Sequence, residues 1–304
     1  MKTANNSRLH SFAIFTACWT LFLLVAGALV TSHDAGLAVP DWPLSYGSLM
    51  PPMVGGIFWE HGHRMVATVA GILTIILAVW ISRREPRAWM RRLGWAALGA
   101  VIAQGLLGGL TVKFMLPVPV SVAHACLAQV FFCTLVGLAL FTSRWWQSDL
   151  LVYEDTGSPQ LRTLAVLTVG VIFVQLALGA AFRHNGIGIL PHIVWAAVVL
   201  FVGLWTTRTA RTRAPSRLGL RPPGIALASL IGTQILLGAG TYWAVESTRT
   251  APQPMPVMVW FTVAHVAVGA LTLAVAVVLA LCCFRTVQPA GALQTASSRQ
   301  GVAA

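Results

Sequence analysis

The sequence has very little charge. Only 9% of its 304 residues are Asp, Glu, Lys or Arg, and only eight are acidic, whereas 57% are hydrophobic. A water-soluble domain carries about 25% charged residues. The composition, with a mean hydropathy of +0.77, therefore excludes a soluble enzyme, a disordered chain and a collagen-like chain, and it leaves a polytopic membrane protein.

Two further absences narrow the fold. The alternation of polar and apolar residues that a membrane β-barrel needs is missing, so helices are the spanning elements. All five Cys lie within apolar runs, which argues against a disulfide framework in the loops. The net charge of +12 would suggest nucleic acid in a soluble domain, but here the basic residues sit in short loops between apolar runs. Membrane topology explains them, and no nucleic-acid partner is predicted.

Eight apolar runs are long enough to cross a bilayer, which takes about 20 residues per helix. They cover roughly residues 12–31, 62–81, 93–112, 119–142, 162–182, 190–207, 223–243 and 257–284. Sixteen of the 20 basic residues fall in the segments on one side of these spans. The other side carries Arg64, Lys113, Arg183 and Arg249. This bias predicts a multi-pass protein of the cell (inner) membrane with both termini in the cytoplasm.

An internal repeat divides the chain into halves. Gln104-Gly-Leu-Leu-Gly-Gly-Leu-Thr111 in the third span returns as Gln234-Ile-Leu-Leu-Gly-Ala-Gly-Thr241 in the seventh. The predicted fold is all-α, with eight transmembrane helices in two pseudo-symmetric four-helix bundles. The expected units are an N-terminal half (1–143), a cytoplasmic linker (144–161), a C-terminal half (162–285) and a disordered cytoplasmic tail (286–304).

Four of the eight histidines carry the functional prediction. His63, His124, His192 and His265 fall in the outer parts of the second, fourth, sixth and eighth spans. An ionisable residue inside a span is functional by default. Two per half, in register, predict paired axial ligation of haem iron. A hydrogen-bonded packing role is the alternative for any one of them, and a zinc or copper site would more often show Cys or carboxylate ligands at short spacing.

The other histidines are expected to have ordinary surroundings. His10 is predicted to be solvated in the N-terminal tail. His33, His61 and His184 are predicted to lie at or near the outer membrane surface, and a role in lining a site is the alternative for each.

Glu60 stands one helical turn before His63, so both share a helix face. A carboxylate there could move protons beside a group bound at His63, or it could serve only as a helix N-terminal acid. No acid precedes His192 by three residues, which predicts a reactive site in the first half alone. Arg64 and Arg183 are candidates for pairing with haem propionates, and the alternative is anchoring at lipid headgroups.

Several motifs resemble the haem A synthase family over most of the chain. The most distinctive is Pro40-Asp-Trp-Pro-Leu44, followed by Met50-Pro-Pro52. Glu60-His-Gly-His63-Arg64 is similar to the family's Glu-x-x-His-Arg signature. Gly109-Leu-Thr-Val followed by His124 resembles its fourth-helix region.

The resemblance implies a function. In that family, haem O is the substrate, and its C8 methyl is oxidised to the formyl group of haem A. By motif, His63 and His124 would hold haem O beside Glu60 as the essential acid, and His192 and His265 would hold a haem b cofactor. The resemblance also implies an electron donor and the haem O synthase as partners, and Asp41 and Trp42 could fold the first loop over the first site.

The sequence departs from the family at two points. Val39 and Ser45 occupy the places of a Cys pair that many members have in the first outer loop, and residues 183–189 have no Cys. Around His192 the chain reads Pro-His-Ile-Val instead of His-Arg.

Two other classes remain open. A bis-haem b-type electron-transfer cytochrome would need the same four histidines, and a transporter or channel could use intramembrane His and Glu as a proton relay. Glu60 and the first-loop motif favour the synthase.

Overall fold

The computed structural model describes residues 7–290, and it confirms an all-α chain with eight helices of membrane-spanning length and composition. The long helices are α1 (Ser7–Ser32), α2 (Gly55–Arg84), α3 (Ala88–Lys113), α4 (Val118–Thr142), α6 (Leu161–Arg183), α7 (Leu190–Thr212), α8 (Arg221–Ser247) and α9 (Pro256–Thr286). A short helix, α5 (Arg144–Gln147), follows α4.

The helices are longer than the apolar runs that predict them. The clearest case is α2, which begins at Gly55, seven residues before the predicted span. Its first turns contain Glu60, His61 and Arg64, and the protein itself supplies hydrogen-bond partners to all three. Counting apolar residues misses such a turn because its polar groups are satisfied inside the fold.

Each half of the chain closes into a ring of four helices. In the first half α1 packs on α2 and α4, and α3 packs on α2 and α4. In the second half α6 and α8 each pack on α7 and α9. The halves meet through α1 and α4 on one side and α6 and α9 on the other. The contacts α1–α9 and α4–α6 are equivalent, so the halves are parallel repeats related by an axis along the helices.

The apolar cores lie at one end of these bundles. In the first half Leu77, Ile81 and Leu138 are buried together, near the end of α2 and of α4. In the second half Leu161, Leu279 and other buried residues pack in the same way near the start of α6 and the end of α9. His63, His124, His192 and His265 lie toward the opposite ends of their helices, where the first loop (residues 33–54) also lies.

The expected solvation of His10 is wrong. His10 belongs to α1, and its Nδ1 lies 3.0 Å from the carbonyl oxygen of Ala139 and 3.2 Å from Oγ1 of Thr142. The reason is that α1 already includes Ser7, so His10 packs against the end of α4 instead of extending into a tail.

The segment after α9 also departs from expectation. Disorder was predicted from residue 286, but Thr286 ends α9 and Val287–Pro289 forms a strand, β2. It pairs in parallel with β1 (Tyr153–Asp155) from the segment between the halves, with Tyr153 opposite Val287. This pairing gives backbone groups of both segments hydrogen-bond partners within the protein. The rest of the predicted tail, 291–304, lies outside the described residues.

Candidate functional site

The four intramembrane histidines share one local arrangement. Each ring packs against a glycine on the helix that precedes its own. A Cβ atom added to that glycine would lie within about van der Waals distance or less of Cε1 of the ring. The pairs are Gly27–His63 at 3.1 Å, Gly108–His124 at 3.2 Å, Gly179–His192 at 3.0 Å and Gly238–His265 at 3.2 Å. A side chain at these four positions would displace the ring.

Three of these hairpins also contain a glutamine one turn before the glycine. Its amide Nε2 donates to the backbone carbonyl of the histidine on the next helix. The bonds are Gln104–His124 at 2.9 Å, Gln175–His192 at 3.1 Å and Gln234–His265 at 2.9 Å. Interhelical hydrogen bonds of this kind fix the rotation of one helix against the other. In α1 the equivalent position holds Leu23.

The histidines form one pair in each half. His192 and His265 have ring centroids 6.3 Å apart, with ring planes inclined at 69°. A metal ion that accepted both Nε2 atoms at about 2 Å would require a spacing of this size. His63 and His124 hold the equivalent positions in the first half, each ring against its own glycine.

The donor set fits a haem iron. Nδ1 of all four rings is buried and without a hydrogen-bond partner. Within residues 7–290 no group of three or more His, Cys, Asp or Glu side chains is placed to hold a metal ion. Two histidines per half are too few for a metal held by protein alone, but a porphyrin brings its own equatorial nitrogens and needs only axial ligands.

Glu60 lies at the boundary between the first pair and the first loop. It is only 4% exposed. Its Oε2 accepts a hydrogen bond from the Val39 amide at 2.8 Å, and its Oε1 accepts one from Nη2 of Arg64 at 2.6 Å. Since Glu60 precedes His63 by one turn, the loop, the carboxylate and the ring form one connected group.

Arg64 is bound to the protein and not to the membrane surface. Its guanidinium donates to the carbonyls of Asp41 and Leu44, both at 2.8 Å, and to that of Val39 at 3.3 Å. These contacts hold the loop on α2. Propionate pairing by Arg64, which the sequence suggested, would use a side chain that already has these partners.

Asp41 folds the first loop. Its carboxylate accepts hydrogen bonds from the amides of Gly47 at 2.8 Å and Tyr46 at 2.6 Å. Those bonds hold the pKa of Asp41 below its ordinary value of 3.8, because they favour the charged form. Gly47 and Tyr46 both have positive φ angles, so the carboxylate stabilises a turn of high backbone cost.

Trp42 places the loop against α3. A Cβ atom on Gly109 would lie 2.7 Å from Cδ2 of the indole. Gly109 therefore admits Trp42, while its neighbour Gly108 admits the ring of His124. The loop thus reaches the helix turn that supports the first histidine pair.

Val39 and Ser45 occupy the positions where the resemblance would lead us to expect a Cys pair. Val39 is fully buried. Ser45 is 1% exposed and its Oγ lies 2.8 Å from Nδ1 of His61. His61 itself is 6% exposed, so it is buried beneath the first loop.

Arg183 joins the two halves. It extends from the end of α6 to α1, where Nη2 donates to Oγ of Ser32 at 2.7 Å and to the carbonyl of Ala28 at 3.3 Å. The neighbouring His184 follows α6, and burial, with the positive charge of Arg183, lowers its pKa. Arg183 thus lies between the helix that carries Gly27 and the helix that carries Gly179.

Sequence reasoning identified the histidines but missed Gln175, Gly27 and Gly179. The signal was available for Gln175. A Gln followed four residues later by Gly occurs in α3, α6 and α8, and each example precedes a histidine helix. Gly27 and Gly179 carry no such mark alone, since single glycines are common in membrane helices.

Together these features define a class: a multi-pass α-helical membrane protein made of two four-helix repeats, each with a histidine pair. A family model described as cytochrome oxidase assembly protein (COX15-CtaA) matches residues 53–191. This range contains Glu60, His63 and His124 and ends one residue before His192.

Three relatives, each named heme A synthase, extend the match. The Symbiobacterium thermophilum protein is 32% identical over 59% of this chain and 60% of its own length. The Bacillus licheniformis protein is 26% identical over 69% of this chain and 62% of its own. The Sphingopyxis alaskensis protein is 29% identical over 84% and 88%. The chain thus spans about 60% of the length of the first two. Over most of its length the chain is therefore similar to proteins named heme A synthase.

Proposed function

We propose that this protein is a membrane oxidoreductase of haem A biosynthesis, a haem A synthase that oxidises the C8 methyl of haem O to a formyl group. One observation carries the proposal beyond this similarity. Buried Glu60 lies one turn before His63 at the base of the first loop, whereas the equivalent position before His192 is Ile189. Electron transfer alone requires no such carboxylate, and an acid beside only one of two similar pairs favours chemistry at that pair.

The two halves have different roles in this proposal. His63 and His124 hold haem O as the substrate, and Glu60 accepts or returns a proton at Oε1 or Oε2 beside it. Arg64 keeps that carboxylate in position, and Trp42, with the folded loop, limits the access of water. Haem b, held by His192 and His265, supplies one-electron transfer when it is bound. Arg183, which joins the end of α6 to α1, contacts a haem propionate in this proposal.

The topology and partners follow from the same proposal. The two described ends lie on the side rich in Arg, so we place both termini in the cytoplasm and the first loop outside the cell membrane. Haem O enters from the lipid phase or from the haem O synthase. Conversion of a methyl to a formyl group is an oxidation that also adds an oxygen atom, so the reaction needs either molecular oxygen together with an electron donor, or another oxidant with water as the oxygen source.

Haem extraction tests the function. The chain is expressed in a host that lacks haem A, with and without a haem O synthase, and the extracted pigments are separated by chromatography and identified by mass spectrometry. Haem A that appears only when both proteins are present supports the proposal. Haem B alone, with haem O abundant and the protein folded, contradicts it and favours the electron-transfer cytochrome.

Glu60→Gln tests the role of the carboxylate. The variant should lose haem A formation by about 100-fold or more, the typical range for a general acid–base residue, and should keep the absorption spectrum of the second pair. Glu85→Gln is the matched control, because Glu85 is also a buried acid paired with an arginine, but at the other end of α2. Equal activity in both variants would remove Glu60 from the mechanism.

A further inference from the structure

One of the four histidine hairpins lacks a glutamine that the other three share. The residue one turn before the ring-contacting glycine is Gln in α3, α6 and α8, and Leu23 in α1. Leu23 is 9% exposed, so it fills the buried place of the glutamine without an amide group. Gly27 still contacts the ring of His63 as its equivalents contact theirs. The ring is therefore placed in the same way, but the turn that carries it lacks one interhelical hydrogen bond.

Two of the glutamines also lie beside the ring. Gln175 Nε2 is 3.2 Å from Nε2 of His192, and Gln234 Nε2 is 3.3 Å from Nε2 of His265. Because iron would take the lone pair of Nε2, the contact that remains in the loaded protein is the bond from each glutamine to the histidine carbonyl. Leu23 can offer His63 neither contact.

Other bonds around His63 do not replace the missing one. Trp19 Nε1 donates to the carbonyl of Val66 at 3.0 Å, one turn beyond the ring. The α6–α7 hairpin has a bond at the same level, from Trp195 to Val171, in addition to its glutamine. The neighbours Glu60 and Arg64 bind the first loop and not α1. The turn that carries His63 is therefore connected by hydrogen bonds to the first loop and not, at the glutamine position, to α1.

From this difference we infer that Leu23 makes His63 the exchangeable iron ligand of the first pair, while His124, His192 and His265 are held by their glutamines. Leu23 and the three glutamines are positioning residues. The inference rests on the proposed function, since it requires haem at both pairs. The first pair would then have one releasable ligand, which suits a haem that must enter and leave. The second pair would have two fixed ligands.

Carbon monoxide is the probe, because it binds ferrous haem only where an axial ligand yields its place. The purified full chain with both haems is reduced with dithionite and titrated with CO. The unsubstituted protein should bind CO at the first pair alone. Leu23→Gln should weaken this binding roughly threefold to tenfold, the effect of about one interhelical hydrogen bond in a membrane.

The controls separate shape from hydrogen bonding. Leu23→Met has nearly the length of Gln without its amide, so it should bind CO like the unsubstituted protein. The reciprocal variant Gln175→Met should give the second pair a new CO-binding fraction. It also tests the inference independently of any effect of Leu23→Gln on folding.

Haem content distinguishes the two possible failures. A folded chain with no haem at His63 and His124 overturns the proposed function and the inference with it. A chain that carries both haems but binds CO equally in Leu23→Gln and Leu23→Met overturns the inference alone. So does CO binding at the second pair of the unsubstituted protein, or none at either.

Discussion

Trp19 and Trp195 make the same interhelical hydrogen bond in opposite directions. Trp19 on α1 donates from Nε1 to the carbonyl of Val66 on α2 at 3.0 Å. Trp195 on α7 donates to the carbonyl of Val171 on α6 at 2.9 Å. The first half thus has its indole on the first helix of the hairpin, and the second half has it on the second helix.

The positions are equivalent in the repeat. Trp19 and Val171 each lie eight residues before the ring-contacting glycine of their helix, and Val66 and Trp195 each lie three residues after the histidine. Between the two halves, the indole donor and the carbonyl acceptor have exchanged helices, while the hydrogen bond between those helices is kept. The two halves therefore conserve spatial relationships that a comparison of their side chains, position by position, does not detect.

Removal of either indole donor should weaken its hairpin by a similar amount. Trp19→Phe and Trp195→Phe should each lower the free energy of unfolding by about 0.6 to 1.7 kcal/mol, from the mean to the largest value measured for interhelical hydrogen bonds in a membrane protein. Thermal unfolding in detergent, followed by near-ultraviolet circular dichroism, measures the loss. Trp260→Phe is the control, since Trp260 is 75% exposed; an equal loss there would mean that the hydrogen bond is not the cause.

The glycine behind His192 should be required for occupancy of the second pair. In Gly179→Ala the new Cβ would lie 3.0 Å from Cε1 of the ring, so the imidazole must move and most of the haem at that pair should be lost. Haem per chain, from pyridine haemochrome spectra, is the measurement. Gly170→Ala, on the same helix with nothing within 4 Å of its added Cβ, should keep the full haem content. If the two variants retain equal haem, the packing of the ring does not limit binding.

Gly109 should control the position of the first loop. A methyl group there would meet Cδ2 of Trp42 at 2.7 Å, so Gly109→Ala should expel the indole and open the loop. Limited proteolysis within residues 33–54 should become several times faster. Gly105→Ala lies one turn earlier on α3 in open space and should be cleaved at the unsubstituted rate. Similar cleavage of both variants would show that the loop is held without Trp42.

The loop should also respond to acid through Asp41. Hydrogen bonds from the amides of Gly47 and Tyr46 depress its pKa in the folded protein, so its contribution is fully present above the ordinary value of 3.8 and is lost as the pH falls through the lower, folded value. The loop should hold at neutral pH and loosen only below about pH 4. The emission difference between the protein and Trp42→Phe follows this change. Asp41→Asn should show the loosened signal at every pH, and a transition near neutrality would exclude Asp41 as its source.

The sequence predicted those features that the bilayer itself imposes. Eight helices follow from apolar length, and the histidine pairs follow from the rarity of ionisable residues in spans. The start of α2 was misplaced because Glu60 and Arg64 are satisfied by loop atoms that are distant in sequence. β1 and β2 were missed because strands of three residues have no readable periodicity. The contact between the loop and the turn of His63 depends on how residues 39–45 fold. No local sequence pattern predicts that fold.

The pairing of β1 with β2 brings together two points that are far apart along the chain. Tyr153 lies just before the second half and Val287 lies just after it. The first and last residues of this half are therefore neighbours in space. Chain termini that meet in this way tolerate reconnection. The segment after Pro289 could be joined to the segment before Tyr153, and the chain could be opened in one of the short turns between α6 and α9. Such a rearrangement would preserve every helix neighbour of the second histidine pair. The second half is thus a unit whose two ends are joined by a strand pair. Among the described residues, the two ends of the first half are not paired in this way.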